Sequence, residues 1–482
     1  MRTLKTIAAT VAIAAVALWP LTPLLHAPPA TRDALLWIQR GAGADWLAWA
    51  VTQQHFVGYR PLAALSFTLN AALGATAEGY RAADLGLYVL SGGLLAALAQ
   101  RWFGMWPALL AAGLYFFHPT SEEILIDVAR RSYPMSASLV LSAFLLIRRR
   151  ALAAVLLGAA MLCNEVAVVP ALLGPAVLRW RAPEHRWRAG WPLWAAVAAV
   201  AALRLVVLRG GGGYDGSDIV LPWLAGGPLA GDAPLRPLLA AAAGAYQTLL
   251  PVAGDGSRSL LGQHPIGIGS AAVAALVIGR ALWQAGAPGR LLLGWYAATL
   301  ILAAVAVTWF WRMAHPPLLP LCLAAALLAQ RRDWLALGAA VLLGGNMALQ
   351  SPVIKGPRPL VGALDERAAL ITQIEAAAEG QGTLLLVLPY TKHWAVSTER
   401  WLAFRHPAVV VSLLAYQRSL RQPIAADWPA RPDTIKVHED AFLTEAGQGL
   451  LQGPRLLSAS QIPPKTALVW VGEDRVGVLP VR

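Results

Sequence analysis

Four acidic residues lie just outside apolar runs, where they could act on a bound hydroxyl group. They are Asp33, Asp45, Glu122 and Glu123. A carboxylate next to a hydroxyl can remove its proton as a general base. Structural roles are the alternative. Asp33 could cap a helix that begins at Ala34, and Glu122 and Glu123 could start a surface helix after Pro119.

Cationic residues accompany these acids. Those that could bind a phosphate group are Arg60, Arg131, Arg312 and His315. Arginine is suited to this role because it makes bidentate hydrogen bonds to phosphate oxygens. Glu165 is different, since it lies at the tip of a predicted tight hairpin among apolar residues. Such a carboxylate is usually functional or paired with a cation. These residue types fit an enzyme that handles a lipid phosphate at a membrane surface.

The elements that must position these residues are membrane helices. The 482-residue chain is 57% hydrophobic and 13% charged, with a mean hydropathy of +0.55. Soluble domains carry about 25% charged residues, so this chain has roughly half of that share. Repeated apolar runs approach the length that crosses a bilayer. The composition therefore predicts a polytopic membrane protein and excludes a soluble globular one.

The placement of basic residues predicts the topology. The formal charge of +13 comes largely from short Lys and Arg clusters between apolar runs, such as Arg148-Arg149-Arg150. Cytoplasmic loops carry such an excess, so we expect topology rather than nucleic-acid binding to explain the charge. With the N-terminus in the cytoplasm, the alternation gives about eleven membrane helices and an extracytoplasmic C-terminus.

Two outer loops, residues 26–80 and 118–133, should then fold over one cavity and present Arg60, Glu122, Glu123 and Arg131 to it. Cys163 and Cys322 each lie inside an apolar run, so we expect small buried side chains and no disulfide. The sequence contains no metal-spaced Cys/His cluster and no Walker-type phosphate loop.

The tail has a different pattern from the rest of the chain. The segment 364–378 is typical of a helix, and 383–388 and 408–413 are typical of buried strands. Two further apolar runs flank Gly472-Glu473-Asp474-Arg475, which is the pattern of a hairpin. We predict a membrane domain over residues 1–350 and a small C-terminal α/β domain outside the cytoplasm over 351–482.

Several motifs in the membrane domain resemble those of the GT-C glycosyltransferases. The chain is most similar to bacterial relatives of the transmembrane-and-TPR-containing O-mannosyltransferases, without their TPR repeats. The motifs are Tyr59-Arg60-Pro61-Leu62, Ser66-Phe67-Thr68-Leu69-Asn70, His118-Pro119 with Glu123 and Arg131, Cys163-Asn164-Glu165, and Trp309-Phe310-Trp311-Arg312-Met313 with His315. Their order and spacing agree with the family over residues 58–166.

The resemblance implies inverting transfer of a sugar from a polyprenyl-phosphate donor at the outer face of the bacterial inner membrane. The acceptor would be a hydroxyl of a protein or of an envelope glycan or lipid. It implies Asp33, or else Asp45, as the base, with Glu122 and Glu123 orienting the substrates. Substrate-binding residues would be Tyr59, Arg60, His118, Arg131, Glu165, Arg312 and His315. A divalent cation is the one cofactor left open.

Two other functions remain as alternatives. The family usually has adjacent acidic residues after the first helix, whereas Asp33 stands alone behind Arg32. Arg81 and Asn164 also replace a His and a Lys of the family. These departures favour a catalytically degenerate scaffold in envelope assembly as the second hypothesis. A transporter or flippase is the third, although the chain has no visible inverted repeat.

Overall fold

The computed structural model describes part of the chain, which divides into two units. The described residues are 2–26, 32–52, 59–184, 187–208, 245, 248–249, 265–305, 314–349, 351–355 and 376, and the six strands given below. One unit comprises Met1–Leu25 and Arg40–Val361, and the other His26–Gln39 and Gly362–Arg482. Arg312 lies outside the described residues, and so does the side chain of Asp33.

The first unit is built from α-helices joined by short turns. They are α1 Arg2–Leu18, α2 Arg32–Ala42 (shared with the second unit), α3 Trp46–Thr52, α4 Pro61–Ala72, α5 Ala77–Phe103, α6 Met105–Phe117, α7 Thr120–Leu125, α8 Ser132–Leu145, α9 Arg150–Cys163, α10 Val168–Arg181, α11 Trp191–Leu208, α12 Pro265–Gln284, α13 Ala287–Val305, α14 His315–Arg331, α15 Trp334–Leu349 and α16 Pro352–Lys355. Short 3-10 segments cover Trp19–Leu25, Val128–Arg131, Glu165–Ala167 and Trp187–Gly190.

The chain is a helical membrane protein. In the described part, three helices are long and apolar enough to cross a bilayer, namely Lys5–Leu25, Glu78–Phe103 and Arg188–Val207. Shorter apolar helices include Met105–Phe117 and Arg150–Cys163. Flanking residues must extend these helices if they cross the membrane as well. The count of eleven spans stays a prediction.

The hairpin of α5 and α6 forms a central part of the core. Gly104 ends α5 and precedes α6 with φ +104°, a conformation that other residues rarely adopt. Gly92 of α5 lies against the ring of Phe116, which is completely buried. The absence of a side chain at Gly92 lets the two helices approach closely.

Two ends of this helical unit differ in their polar contacts. At the end that we call the basic end, Arg101 donates to Leu145 O, Arg148 to Arg181 O and Arg150 to Ala189 O. At the opposite end, which we call the polar end, ion pairs and buried histidines connect the helix termini. The sites predicted from the sequence cluster at the polar end.

Within the predicted outer loop over residues 26–80, the sequence indicates short amphipathic segments at 34–38 and 45–49, and both overlap helices of the structure. It does not indicate the helix after Arg60. The segment contains α2, α3 and α4, of which α4 is an apolar helix that begins with Pro61. Proline suits the first helical turn because its missing N–H has no intrahelical partner there. Ala64 and Phe67 of α4 are fully buried, so tertiary packing also favours this helix.

Six strands belong to the second unit. They are β1 Thr383–Pro389, β2 Val410–Tyr416, β3 Thr434–Val437, β4 Arg455–Ser458, β5 Thr466–Val471 and β6 Val476–Pro480. One sheet has the order β2-β1-β5-β6, and β3 pairs with β4. Strand β1 is parallel to β2 and β5, and β5 and β6 form an antiparallel pair. These strands coincide with the predicted ones near 383, 408, 467 and 476, while the predicted helix at 364–378 lies outside the described residues apart from residue 376.

Candidate functional site

A cleft opens at the polar end between α8, α10, α13 and α14. The cleft is narrow, because the centres of water-sized molecules can occupy only about 30 Å³ in it. Its polar lining residues are Tyr133, Ser136, Asn164, Thr299 and His315, and the apolar lining includes Trp295 and Leu319. A mostly apolar cleft with a few converging polar groups is the usual form of a small-molecule site.

Arg60 and Glu165 form an ion pair next to this cleft. Arg60 directly precedes the proline that starts α4, and Glu165 begins the 3-10 turn between α9 and α10. Arg60 Nε donates to Glu165 Oε2 over 2.9 Å, and Nη2 donates to Oε1 over 2.5 Å. The pair is bidentate and therefore directional. It joins two turns that are 105 residues apart in sequence.

Asn164 fixes the turn that carries Glu165. Its Oδ1 accepts a hydrogen bond from Val166 N over 3.1 Å, and its Nδ2 donates to Ser132 Oγ over 3.3 Å. Asn164, Val166 and Ala167 all line the cleft. The Glu165 side chain, 32% exposed, is thus held at the cleft without being enclosed by it.

The carboxyl group of Glu165 has a strongly lowered pKa. Burial alone would raise this pKa, but the positive charge of Arg60 and its hydrogen bonds outweigh burial, and the charge of Arg204 adds to them. The net effect lowers the pKa of Glu165 to about 2. The group is ionised at neutral pH, so it is a counter-ion and acceptor rather than a proton donor.

Arg131 lies in a separate, fully buried cluster. Its Nε is 2.8 Å from Asp84 Oδ1, Nη1 donates to Asn70 Oδ1 over 2.8 Å, and Nη2 donates to Tyr80 O over 3.2 Å. The guanidinium also lies 4.0 Å from the centre of the Phe67 ring. Arg131 is 1% exposed. These contacts make it a tie between α4, α5 and α8 rather than a group presented to the cleft.

Arg81 stabilises the same region from α5. Its Nη1 donates to Leu125 O over 2.9 Å and to Ile126 O over 2.8 Å. These carbonyl groups lie at the C-terminal end of the short helix α7, where no N–H group of the helix is available to bond to them. Arg81 therefore fixes α7, the short helix that carries Glu122 and Glu123.

The two acidic residues of α7 have different surroundings. Glu122 is 2% exposed, so α7 is a buried helix and the predicted surface helix is wrong at this residue. Glu123 forms an ion pair with Arg130, which is also 3.4 Å from Asp127. Three consecutive apolar residues explain why the short helix lies in the protein interior. Ile124, Leu125 and Ile126 are 2%, 4% and 6% exposed, and their burial removes apolar surface from water.

Two buried histidines lie near these acids. His118 Nδ1 accepts a hydrogen bond from Thr120 N over 3.1 Å, and its Nε2 lies 3.3 Å from the carbonyl oxygen of Thr248. An N–H on one side and a carbonyl on the other assign the proton to Nε2 and a neutral ring. His315 faces the cleft, and its Nε2 is 2.8 Å from the hydroxyl of Tyr115.

The structure brings some predicted residues together and separates others. Arg60, Glu165 and His315 lie at or beside the cleft, and Tyr59 is the buried neighbour of Arg60. Asp45 is exposed at the start of α3, where its carbonyl accepts from Trp49 N over 2.9 Å. None of the described residues that line the cleft is a carboxylate. In the described part of the chain, no three His, Cys, Asp or Glu residues form a group that could hold a metal.

Sequence reasoning missed three residues of the polar end. Arg204 lies in the apolar run of α11. Asp84 pairs with Arg131, and Tyr115 hydrogen-bonds to His315. Both partners are distant in sequence, so these pairings are visible only in the structure. The signal for Arg204 was present, since a lone arginine in a membrane helix calls for a partner.

Fold and site define a helical membrane protein with a mostly apolar cleft at the polar end of its helices. No protein-family model matches the chain, and no curated protein matches it either. Two solved structures are similar, both of ArnT from Cupriavidus metallidurans. The form bound to undecaprenyl phosphate is 15% identical with a TM-score of 0.47, over 94% of this chain and 96% of that one. The apo form is 17% identical with a TM-score of 0.38, over 89% and 95%.

Proposed function

We propose that the protein is an inverting glycosyltransferase that uses a polyprenyl-phosphate-linked sugar as donor. The observation that carries the proposal is the cleft at the polar end, with the Arg60–Glu165 pair and His315 beside it. The motifs that resemble GT-C glycosyltransferases contain these residues. An apolar, lipid-accessible body with cationic groups at one end suits a substrate that has a long hydrocarbon tail and a charged phosphate.

The proposed chemistry needs three groups. A carboxylate, Asp33 or else Asp45, takes the proton of the acceptor hydroxyl, whose oxygen attacks the anomeric carbon of the sugar. The bond between that carbon and the donor phosphate breaks, and its electron pair leaves with the phosphate oxygen. Arginine stabilises the charge on the departing phosphate without proton transfer. Arg60 and Arg312 are the candidates for this role, His315 could contact the phosphate as a neutral hydrogen-bonding group, and Glu122 and Glu123 would orient the substrates.

The proposal includes a direction across the membrane. Basic residues gather at the end opposite the cleft, which is the distribution of a cytoplasmic face. The cleft would then open to the outer face of a bacterial inner membrane. In this topology the N-terminus is cytoplasmic, about eleven helices cross the bilayer, and an α/β domain over 351–482 lies outside. The subfamily proposed is that of the bacterial O-mannosyltransferase relatives.

A catalytically inactive scaffold is the second candidate. It is favoured by one observation, namely that no carboxylate lines the cleft among the described residues. A scaffold would use the fold for envelope assembly and would depend on none of the proposed acids. Replacement of Asp33 and of Asp45 separates the two functions.

Glycan profiling of cells tests the proposed function. The gene is deleted, the glycan or glycolipid that disappears is identified by mass spectrometry, and the strain is complemented with wild type, Asp33→Asn or Asp45→Asn. We expect wild type to restore the product and one Asn variant to reduce it by at least about 10²-fold. Glu184→Gln, an exposed acid at the basic end, serves as control. Full restoration by both Asn variants would refute the base assignment, and no lost product would favour the scaffold.

A further inference from the structure

Arg204 has an unusual position for a charged residue. It lies in the last turns of α11, a helix that is long and apolar enough to cross a membrane. Its neighbours Leu203, Leu205 and Val206 are 41%, 58% and 75% exposed, so this part of α11 has an apolar outer surface. A charged group there costs free energy unless it reaches a polar partner or the membrane interface.

The side chain of Arg204 turns from this surface toward the ion pair at the cleft. Its Nη1 donates to Tyr59 O over 3.3 Å, directly before Arg60 in the chain. Electrostatic interactions connect it with both Glu165 and Arg60. Both oxygens of Glu165 already accept hydrogen bonds from Arg60. Arg60 thus bonds to this carboxylate directly, and Arg204 acts on it at longer range.

None of these three residues is among the described residues that line the cleft, but Glu165 belongs to the turn that does. Asn164, Val166 and Ala167, which flank Glu165 in the chain, line the cleft. The side chains of Arg60 and Glu165 remain 18% and 32% exposed, and Arg204 is half-buried. An anion that moves laterally along the apolar surface of α11 meets Arg204 before it meets Arg60.

We propose that Arg204 binds the phosphate group of a lipid-linked substrate and guides it from the bilayer to Arg60 at the cleft. This inference rests on the proposed function and adds a residue and an entry side to it. The positive charge of Arg204 attracts the phosphate, and its planar guanidinium can donate two parallel hydrogen bonds to the phosphate oxygens. Glu165 keeps Arg60 in place, so that the carboxylate positions a phosphate-binding group instead of competing for it.

The alternative role for Arg204 is structural. An arginine near the end of a helix can interact favourably with its carbonyl groups, and the bond to Tyr59 O can anchor the segment before α4. A structural residue would affect stability and leave phosphate binding alone. Arg148 offers a matched control, because it too donates one hydrogen bond of 3.3 Å to a backbone carbonyl, Arg181 O, but at the basic end.

Direct lipid binding tests the proposal. The full-length protein in nanodiscs is titrated with undecaprenyl phosphate, with undecaprenol, which lacks the phosphate, and with inorganic phosphate. Wild type, Arg204→Gln, Arg204→Lys and Arg148→Gln are compared, and thermal unfolding verifies that each variant is folded. Because no sugar transfer is measured, the result does not depend on whether the protein is active.

We expect Arg204→Gln to weaken binding of undecaprenyl phosphate by about tenfold or more, because the variant loses a charged hydrogen-bonding group. Arg204→Lys should lose less affinity for undecaprenyl phosphate, because it keeps the charge. The affinity for undecaprenol should not change in any variant. Arg148→Gln should bind as wild type does. Equal affinities of folded wild type and both Arg204 variants would overturn the inference. Inorganic phosphate that binds as tightly as the lipid would also overturn it, because the site would then recognise a free anion.

Discussion

Arg60 and Glu165 illustrate how one residue pair can serve the site without reacting. The bidentate geometry fixes the guanidinium of Arg60 against the turn that lines the cleft, and the charge of a second cation, Arg204, also acts on Glu165. Arg131 has the opposite arrangement, since Asp84 and Asn70 take up its donors in the protein interior. Two arginines with the same predicted role thus differ in what they can offer a substrate.

The ion pair predicts a dependence of stability on pH. The pKa of Glu165 is lowered in the folded protein to about 2 from its ordinary 4.5, so the carboxylate favours folding above the ordinary value. That contribution is complete above about pH 5 and is lost as the pH falls from there toward 2. Glu165→Gln should therefore unfold at a lower temperature than wild type at pH 7, by the equivalent of about 1 kcal/mol.

Thermal unfolding in detergent from pH 7 to pH 3 measures this effect. The difference between wild type and Glu165→Gln should shrink below pH 4.5, because the carboxyl of the unfolded chain takes up a proton there while that of the folded protein stays ionised until about pH 2. Glu184→Gln, an exposed acid at the other end of the helices, should show no such trend. A constant difference across the range would contradict the lowered pKa of Glu165.

Residue roles could be predicted only in part from the sequence. The surroundings of Glu165, a polar turn among apolar residues, correctly indicated that it is paired. Its partner could not be predicted, because Arg60 lies 105 residues away and no local pattern records such a contact. The same holds for Tyr115, whose partner His315 is 200 residues distant.

At the scale of secondary-structure elements, α5 and α6 pack closely against each other at Gly92. A Cβ atom at Gly92 would lie 2.2 Å from Phe116 Cζ, whereas one at Gly93 would meet nothing within 4 Å. Overpacking of a buried ring costs about 1–3 kcal/mol. Replacement of an exposed helical glycine by alanine instead stabilises a helix by up to about 1 kcal/mol.

Two neighbouring alanine variants can therefore be compared directly. We expect Gly92→Ala to be less stable than Gly93→Ala by about 2 kcal/mol or more. Both variants gain the same helix propensity, but only the alanine at position 92 overpacks the Phe116 ring. Unfolding in mixed detergent micelles gives the free energies. Equal stabilities of the two variants would show that Phe116 does not constrain the helix pair.

Hydropathy predicted the long helices but missed α4. Ser66, Thr68 and Asn70 interrupt the apolar run there, so the segment looked like part of a loop. Buried contacts of Phe67 with Tyr80 and with the Arg131 guanidinium stabilise the helix, and these depend on distant parts of the chain. Tertiary packing decided this element, as it often does for weakly amphipathic segments.

At the scale of the whole molecule, charge separation is the feature that the sequence predicted best. Arg101, Arg148 and Arg150 lie at one end of the helices, and ion pairs and buried histidines lie at the other. The alternation of apolar runs and basic clusters contained this information. The cleft itself could not be predicted, because α8, α10, α13 and α14 contribute to it from widely separated segments.

Labelling of single cysteines tests the orientation of these ends. Leu73 follows α4 at the polar end, and Trp334 starts α15 at the basic end; each is 76% exposed. The native Cys163 and Cys322 are both buried, so their background reaction should be low. A membrane-impermeant maleimide should label Leu73→Cys in spheroplasts and Trp334→Cys only after permeabilisation. The reverse pattern would contradict an outward-facing cleft.

Sugar transfer by the purified protein tests the central claim most directly. Protein in nanodiscs is incubated with isotope-labelled polyprenyl-phosphate sugars and an envelope fraction from a deletion strain, and the label is followed by mass spectrometry. We predict that label moves to an acceptor, that the polyprenyl phosphate is released in equal amount, and that the new linkage has the inverted configuration. Absence of transfer from every such donor, by a protein that binds undecaprenyl phosphate, would contradict the glycosyltransferase proposal.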